Sequence, residues 1–252
     1  MVDDQQLLRY SRHIMLDGFD VEGQERVNRA RVLLIGAGGL GCPAAMYLAA
    51  SGVGHLVIAD DDAVELSNLQ RQIAHSHADI GKAKVDSLAE TLREINPTVV
   101  IEMLPLRLQG EALLQQIAKA DVVLDCSDNF TTRLAINHAC VQHKKPLVSG
   151  AAIRSEGQIS VFNCRATSPC YACLYGERDM QENLSCSDSG VLSPLVGIIG
   201  ATQAAEAIKI IAHYGDPLDG RVLLLDARTM QWRTLTLKKD QACAVCGGKH
   251  HA

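Results

Sequence analysis

Val32-Leu33-Leu34-Ile35-Gly36-Ala37-Gly38-Gly39-Leu40-Gly41 runs from four apolar residues into a glycine-rich turn. An apolar run of this length, followed by glycines and then a helical pattern, reads as a buried strand entering a tight strand-to-helix connection. The glycines let backbone N–H groups approach a phosphate, and the next helix presents its partially positive N-terminus to the same place. One helix and one strand later, Asp60-Asp61-Asp62 follows Leu56-Val57-Ile58-Ala59. A carboxylate closing the second strand accepts hydrogen bonds from ribose hydroxyls. These two features alone make an NAD-dependent oxidoreductase the default. The tail Asn68-Leu69-Gln70-Arg71 disturbs it, because a ribose needs one carboxylate, whereas Asp62, Asn68 and Arg71 suit a triphosphate with a divalent metal.

Outward from this stretch, strand-like runs at 32–35, 55–60, 98–104, 121–126 and 146–149 alternate with helical segments at 39–51, 82–95, 110–119 and 131–143. Strict alternation implies an α/β, Rossmann-like, doubly wound and mostly parallel sheet. Beyond Gly157 the rhythm changes to Gln158–Phe162, a cysteine-bearing loop, an apolar helix, and strand-like runs at 221–225 and 231–237. These later strands are expected to extend the same sheet antiparallel. Residues 4–16 show an amphipathic helical pattern, with Leu7, Leu8, Ser11, Ile14 and Met15 towards one side. The expected organisation is one domain over 1–252, with an N-terminal arm (1–30), a nucleotide-binding half (31–150) and a cysteine-rich half (151–252). Gly38, Asp60 and Asp128 each fall just beyond an expected strand, where ligands of such sheets gather.

The chain has 252 residues, 47% hydrophobic and 21% charged, the composition of a globular protein with a full core. Its net charge of −5 disfavours a nucleic-acid partner. Met1-Val2-Asp3-Asp4 shows no signal-peptide character, so the cytoplasm is the expected compartment. The stretch from Leu192 to Ala212 carries Gln203, Glu206 and Lys209, and reads as a buried helix rather than a membrane span.

Nine cysteines in such a chain point to metal or catalysis more than to disulfides. Cys170-Tyr-Ala-Cys173 answered by Cys243-Ala-Val-Cys246 is the usual four-thiolate frame for tetrahedral Zn2+. Four thiolates leave no open position, so the ion would be structural and would tie the C-terminal tail to the middle of the chain. Unrelated thiols, or a redox pair beside a coincidence, are the plainer alternatives. Cys42, Cys126 and Cys140 read as packing residues, and Cys164 has no evident role. Cys186 lies in the polar stretch Asn183–Gly190, where a thiol could act as nucleophile or sulfur carrier. Arg71 and Lys84, taken singly, are solvated surface charges by default. Asp128 either caps the helix that follows it or contacts magnesium or phosphate.

Gly36–Gly41, Ser67-Asn68-Leu69-Gln70-Arg71-Gln72, Cys126-Ser127-Asp128-Asn129, Ser149-Gly150-Ala151 and the paired C-x-x-C together resemble one family over nearly the whole chain. It is the MoeB/ThiF family, related to the ubiquitin-activating enzymes. The resemblance implies an adenylyltransferase: ATP adenylates the C-terminal glycine of a small ubiquitin-like sulfur carrier ending in Gly-Gly, and pyrophosphate leaves. Arg9-Tyr10-Ser11-Arg12-His13, Gly150-Ala151-Ala152-Ile153-Arg154 and Glu156-Gly157-Gln158 resemble most the branch acting on the small subunit of molybdopterin synthase, in molybdenum-cofactor biosynthesis. The thiamine-carrier branch shares most of these motifs. Carried over by position, the resemblance implies that Gly38, Gly39 and Gly41 line the nucleotide and Asp60 holds its ribose. It implies that Asn68, Arg71 and Lys84 contact phosphates, that Asp62 is the matching second carboxylate, and that Asp128 positions Mg2+. Arg12 matches an arginine that reaches into the neighbouring subunit's site, which implies a homodimer. Cys170, Cys173, Cys243 and Cys246 match the zinc ligands. Cys186 matches a cysteine that some members link covalently to the carrier, and a sulfur-donor protein is a further implied partner. The triple acid departs from the family, whose middle position is often apolar. An NAD(P)-dependent oxidoreductase and a non-catalytic nucleotide-responsive scaffold remain as readings of other classes.

Overall fold

The computed structural model describes residues 3–176 and 189–247. Eight strands form one sheet in the order β3-β2-β1-β4-β5-β6-β7-β8. They are β1 (Arg31–Ile35), β2 (His55–Ala59), β3 (Val100–Leu104), β4 (Val122–Asp125), β5 (Leu147–Ile153), β6 (Glu156–Phe162), β7 (Arg221–Asp226) and β8 (Gln231–Thr236). The first five pair in parallel, and β6, β7 and β8 add on antiparallel, as expected from the sequence.

The helices between the parallel strands are α4 (Gly41–Ala50), α5 (Lys84–Ile95), α6 (Gly110–Lys119) and α7 (Phe130–His143). In β1, Val32 and Leu34 point into one core with Leu48, Leu88 and Leu92, while Leu33 and Ile35 point into a second core with Ile117 and Ile136. A sheet buried on both faces explains why its parallel strands are continuously apolar rather than alternating.

The apolar helix is α9 (Ser193–Ala212), which follows the short α8 (Tyr171–Tyr175). α9 is long and apolar enough to cross a membrane, but it lies against α4, β5 and β6 with more than half of its apolar window buried. Its polar residues serve internal contacts. The Gln203 amide donates to the carbonyls of Asp125 and Val148, and Glu206 accepts from the Leu218 N–H at 2.7 Å and pairs with Lys209 at 2.6 Å. Gly200 makes the approach of α9 to α4 possible, since a Cβ there would sit 2.3 Å from the Leu40 carbonyl oxygen.

The arm is helical, as the pattern over residues 4–16 suggests, but in short pieces. It forms α1 (Asp4–Arg9), α2 (Ser11–Ile14) and α3 (Asp20–Arg29). The break falls at Tyr10, which is buried; its ring lies against Gly52 and its hydroxyl accepts from the Asn96 amide at 2.9 Å. Anchoring that ring overrides the helical period. On the outside, Leu8 and Met15 are 79% and 71% exposed, so these two side chains have no cover among the described residues.

Gly200→Ala is expected to force α9 off α4 and to cost about 1–3 kcal/mol, as overpacking does. In thermal unfolding this appears as a midpoint lowered by several degrees, and an unchanged midpoint would contradict the close contact.

Candidate functional site

The chain winds from β1 to β2 to β3 on one side and then returns to β4 on the other side of β1. That reversal opens a crevice beyond the carboxyl ends of β1 and β4, the place where doubly wound sheets bind ligands. A pocket of about 460 Å³ lies there, lined by the glycine loop, the end of β2, the 68–72 segment, Lys84 and the β4–α7 loop.

The glycine loop is held by steric necessity. Gly36 adopts φ +100°, and a Cβ there would lie 2.7 Å from the Cys126 carbonyl oxygen. At Gly41 a Cβ would lie 1.9 Å from the Gly36 carbonyl oxygen, so α4 can begin where it does only with glycine. Asp60 closes the loop from the side: the Ala37 N–H donates to its Oδ2 at 2.7 Å and the Asp62 N–H to its Oδ1 at 2.9 Å. Burial pushes the Asp60 carboxyl above its usual range, against the pull of the Lys84 charge.

Lys84 is not the surface charge that its type suggests. It opens α5, is 6% exposed, and its Nζ lies 2.6 Å from Asp62 Oδ2. Arg71 is half-buried in the pocket wall, with one guanidinium nitrogen donating to the Ser67 carbonyl at 2.9 Å. Asn68 is buried, and its Oδ1 accepts the Glu65 N–H. Together these place two cations, an amide and a carboxylate around the mouth of the glycine loop.

Across the crevice, Asp128 is exposed at the pocket rim. The helix cap falls to its neighbour, Asn129, whose side chain accepts the Thr132 N–H at 2.9 Å. Beneath them lies a buried network. Arg133 donates to the Gly150 carbonyl at 2.9 Å and to the Ser127 carbonyl, and its guanidinium lies 3.4 Å from Asp125, which in turn accepts from Ser149 at 3.0 Å and Ser127 at 2.6 Å. One arginine thus fixes the β4–α7 loop to β5.

Sequence reasoning missed Arg133, Asp125 and Gln72. Gln72 is 3% exposed and lines the pocket, and its Oε1 has no hydrogen-bond partner among the described residues. Their neighbours Asp128 and Arg71 stood out in the sequence; burial, which gives these three their weight, did not. Arg12 is exposed and does not line the pocket of its own chain. Cys186 lies outside the described residues.

Away from the pocket, Cys170, Cys173, Cys243 and Cys246 come together, with Sγ–Sγ separations of 3.9, 3.7 and 3.4 Å for the 170–173, 170–243 and 173–246 pairs. A tetrahedron of thiolates with 2.3 Å bonds has edges of about 3.8 Å, so the donor set fits Zn2+. Of the other cysteines, Cys42 is fully buried, and burial pushes its thiol up to about 12, as suits a packing residue. Cys126 and Cys140 are likewise core, with thiols raised by burial.

The family model described as the ThiF family matches residues 10–245. A molybdopterin-synthase adenylyltransferase of Salmonella typhimurium is 49% identical over 247 residues, 98% of either chain. A sulfur carrier protein ThiS adenylyltransferase of Escherichia coli is 44% identical, covering 99% of this chain and 98% of that one. Among solved structures, Escherichia coli MccB with MccA-N7isoASN superposes with a TM-score of 0.85 at 24% identity, over 96% of this chain and 75% of the other, a likeness of fold.

Arg133→Met would leave Asp125 buried without its counter-charge, at a cost of about 3–5 kcal/mol. Urea unfolding is the measurement, and a variant as stable as the parent would remove the network from this account.

Proposed function

Because this chain belongs to the ThiF family, we propose that it adenylates the C-terminal glycine of a ubiquitin-like sulfur carrier with ATP, releasing pyrophosphate. The carrier proposed is the small subunit of molybdopterin synthase. The supporting observation is one pocket that gathers Asp60, Asn68, Arg71, Lys84 and Asp128 around a glycine loop.

In this reading Gly38, Gly39 and Gly41 leave room for the phosphates, and Asp60 accepts from the ribose hydroxyls. The carrier's terminal carboxylate, with a pKa of roughly 3.3–3.7, is already an anion at neutral pH, so no general base is required. The difficulty is electrostatic. Two unit like charges about 4 Å apart repel by about 4 kcal/mol at an effective dielectric of about 20. Lys84 and Arg71 offset that repulsion as the carboxylate approaches the α-phosphate, and they hold the charge that shifts onto the leaving pyrophosphate. Lys84 is well suited to this, since its ammonium is buried in the pocket wall and already paired with Asp62. Asn68 orients the phosphates. Asp128 would hold Mg2+ with the nucleotide, and the ion would supply further neutralisation of the triphosphate. Cys170, Cys173, Cys243 and Cys246 would hold Zn2+, which would tie the start of α8 to the C-terminal segment and, with no open coordination position, would take no part in the chemistry.

Arg12 completes the site from a second copy. Its absence from its own chain's pocket, and the uncovered Leu8 and Met15 beside it, support a homodimer in which each arm covers the partner. Adenylation of the thiamine carrier is the second reading, favoured by the 44% identity to the ThiS adenylyltransferase.

ATP–pyrophosphate exchange with each purified carrier, with and without its final glycine, tests the proposal. Exchange is expected only with an intact terminus, and exchange indifferent to that terminus would sink it. Arg71→Ala and Lys84→Ala are each expected to lower exchange by about 10²-fold or more, the scale for losing a preorganised charge-stabilising group; near parental rates would refute their roles. Arg12→Ala and Lys84→Ala dimers, each inactive, are expected to regain exchange on mixing, because the mixed dimer contains one complete site. No recovery after verified subunit exchange argues against an arginine donated between subunits.

A further inference from the structure

Each of the three carboxylates at the end of β2 has a different partner. Asp60 takes two backbone N–H groups and Asp62 takes Lys84, while Asp61 Oδ2 lies 3.3 Å from the Arg107 Nε. Arg107 sits in the β3–α6 connection. It reaches Asp61 because β2 and β3 end in register, with Ala59 opposite Leu104 and the Asp60 N–H donating to the Leu104 carbonyl at 3.2 Å.

Both members of that pair line the nucleotide pocket, with Leu106 and Leu108 beside them. Along the sheet from β1 to β3 the pocket wall passes the glycine loop, then Asp60, then this group. With phosphates at the loop and ribose at Asp60, the base falls on the far side of Asp60. Among the described residues the wall there has no aromatic ring; Phe130 and Tyr171 line the pocket from α7 and α8. A planar base needs a planar neighbour, and a guanidinium provides one that stacks on π faces. An ion pair between side chains 55% and 43% exposed contributes little to folding, so stability alone does not account for it.

Resting on the ATP site proposed above, we infer that Arg107, oriented by Asp61, stacks on the nucleobase and confers preference for purine nucleotides. Arg107 is the specificity-determining residue, and Asp61 is a positioning residue that holds the guanidinium plane.

Equilibrium binding of AMP, ATP and CTP to the full-length protein, without carrier, is the test. Arg107→Ala is expected to weaken AMP and ATP by the same factor, about tenfold, and CTP by much less. Arg107→Phe restores a stacking plane and is expected to recover AMP and ATP binding. Asp61→Asn is expected to fall between parent and Arg107→Ala. Thermal midpoints close to the parent's show that the fold is retained. Parental affinities in Arg107→Ala overturn the inference. So does a loss that grows from AMP to ATP, which would place Arg107 on the phosphates, or a failure of Arg107→Phe to recover binding. If the parent protein binds no ATP, the adenylation reading itself falls; if it binds ATP and the variants match it, only this inference falls.

Discussion

The structure depends on backbone meeting backbone at the point where the sheet reverses its winding. Between Gly36 and Gly41, and between Gly200 and Leu40, the separations leave no space for a side-chain carbon. Those contacts set where α4 begins, how close α9 lies upon it, and how near β1 comes to the β4 loop. The phosphate cradle is what remains on the open side of that crowding. Any residue larger than glycine would have to move α4 or α9, and with them the N–H groups that face the crevice.

Charge is then arranged on this frame so that few groups are left unpaired. The acidic run at the end of β2 would repel itself, but a backbone clamp, Arg107 and Lys84 each take one carboxylate. On the other wall Arg133 satisfies Asp125 and two carbonyls at once. The charges in the pocket walls thus have partners within the protein, as suits electrostatic catalysis, in which charges positioned beforehand need not reorganise during the reaction. The arm follows a different rule. Tyr10 anchors it to the body, while Leu8 and Met15 stay exposed among the described residues.

Much of this was legible in the sequence because it rests on local pattern. Strict alternation of apolar runs and helical segments specified the parallel sheet, and glycines after β1 and a carboxylate after β2 located the crevice. The spacing of the two C-x-x-C pairs anticipated the four-thiolate cluster, although 69 positions separate Cys173 from Cys243 by their numbering. The helical character of the arm was legible too, but its break was not: nothing near Tyr10 in sequence says that its ring will lie on Gly52.

The sequence by itself determined the order of elements, the two-sided burial of the parallel strands and the chemical class of the site, since each follows from residue types at short spacing. Only the tertiary structure decided which charges act as surface and which as machinery. Lys84 and Arg133 resemble any other basic residue on a helix until the fold removes their water and gives each a carboxylate, and that loss of solvent is a property of distant neighbours rather than of local sequence.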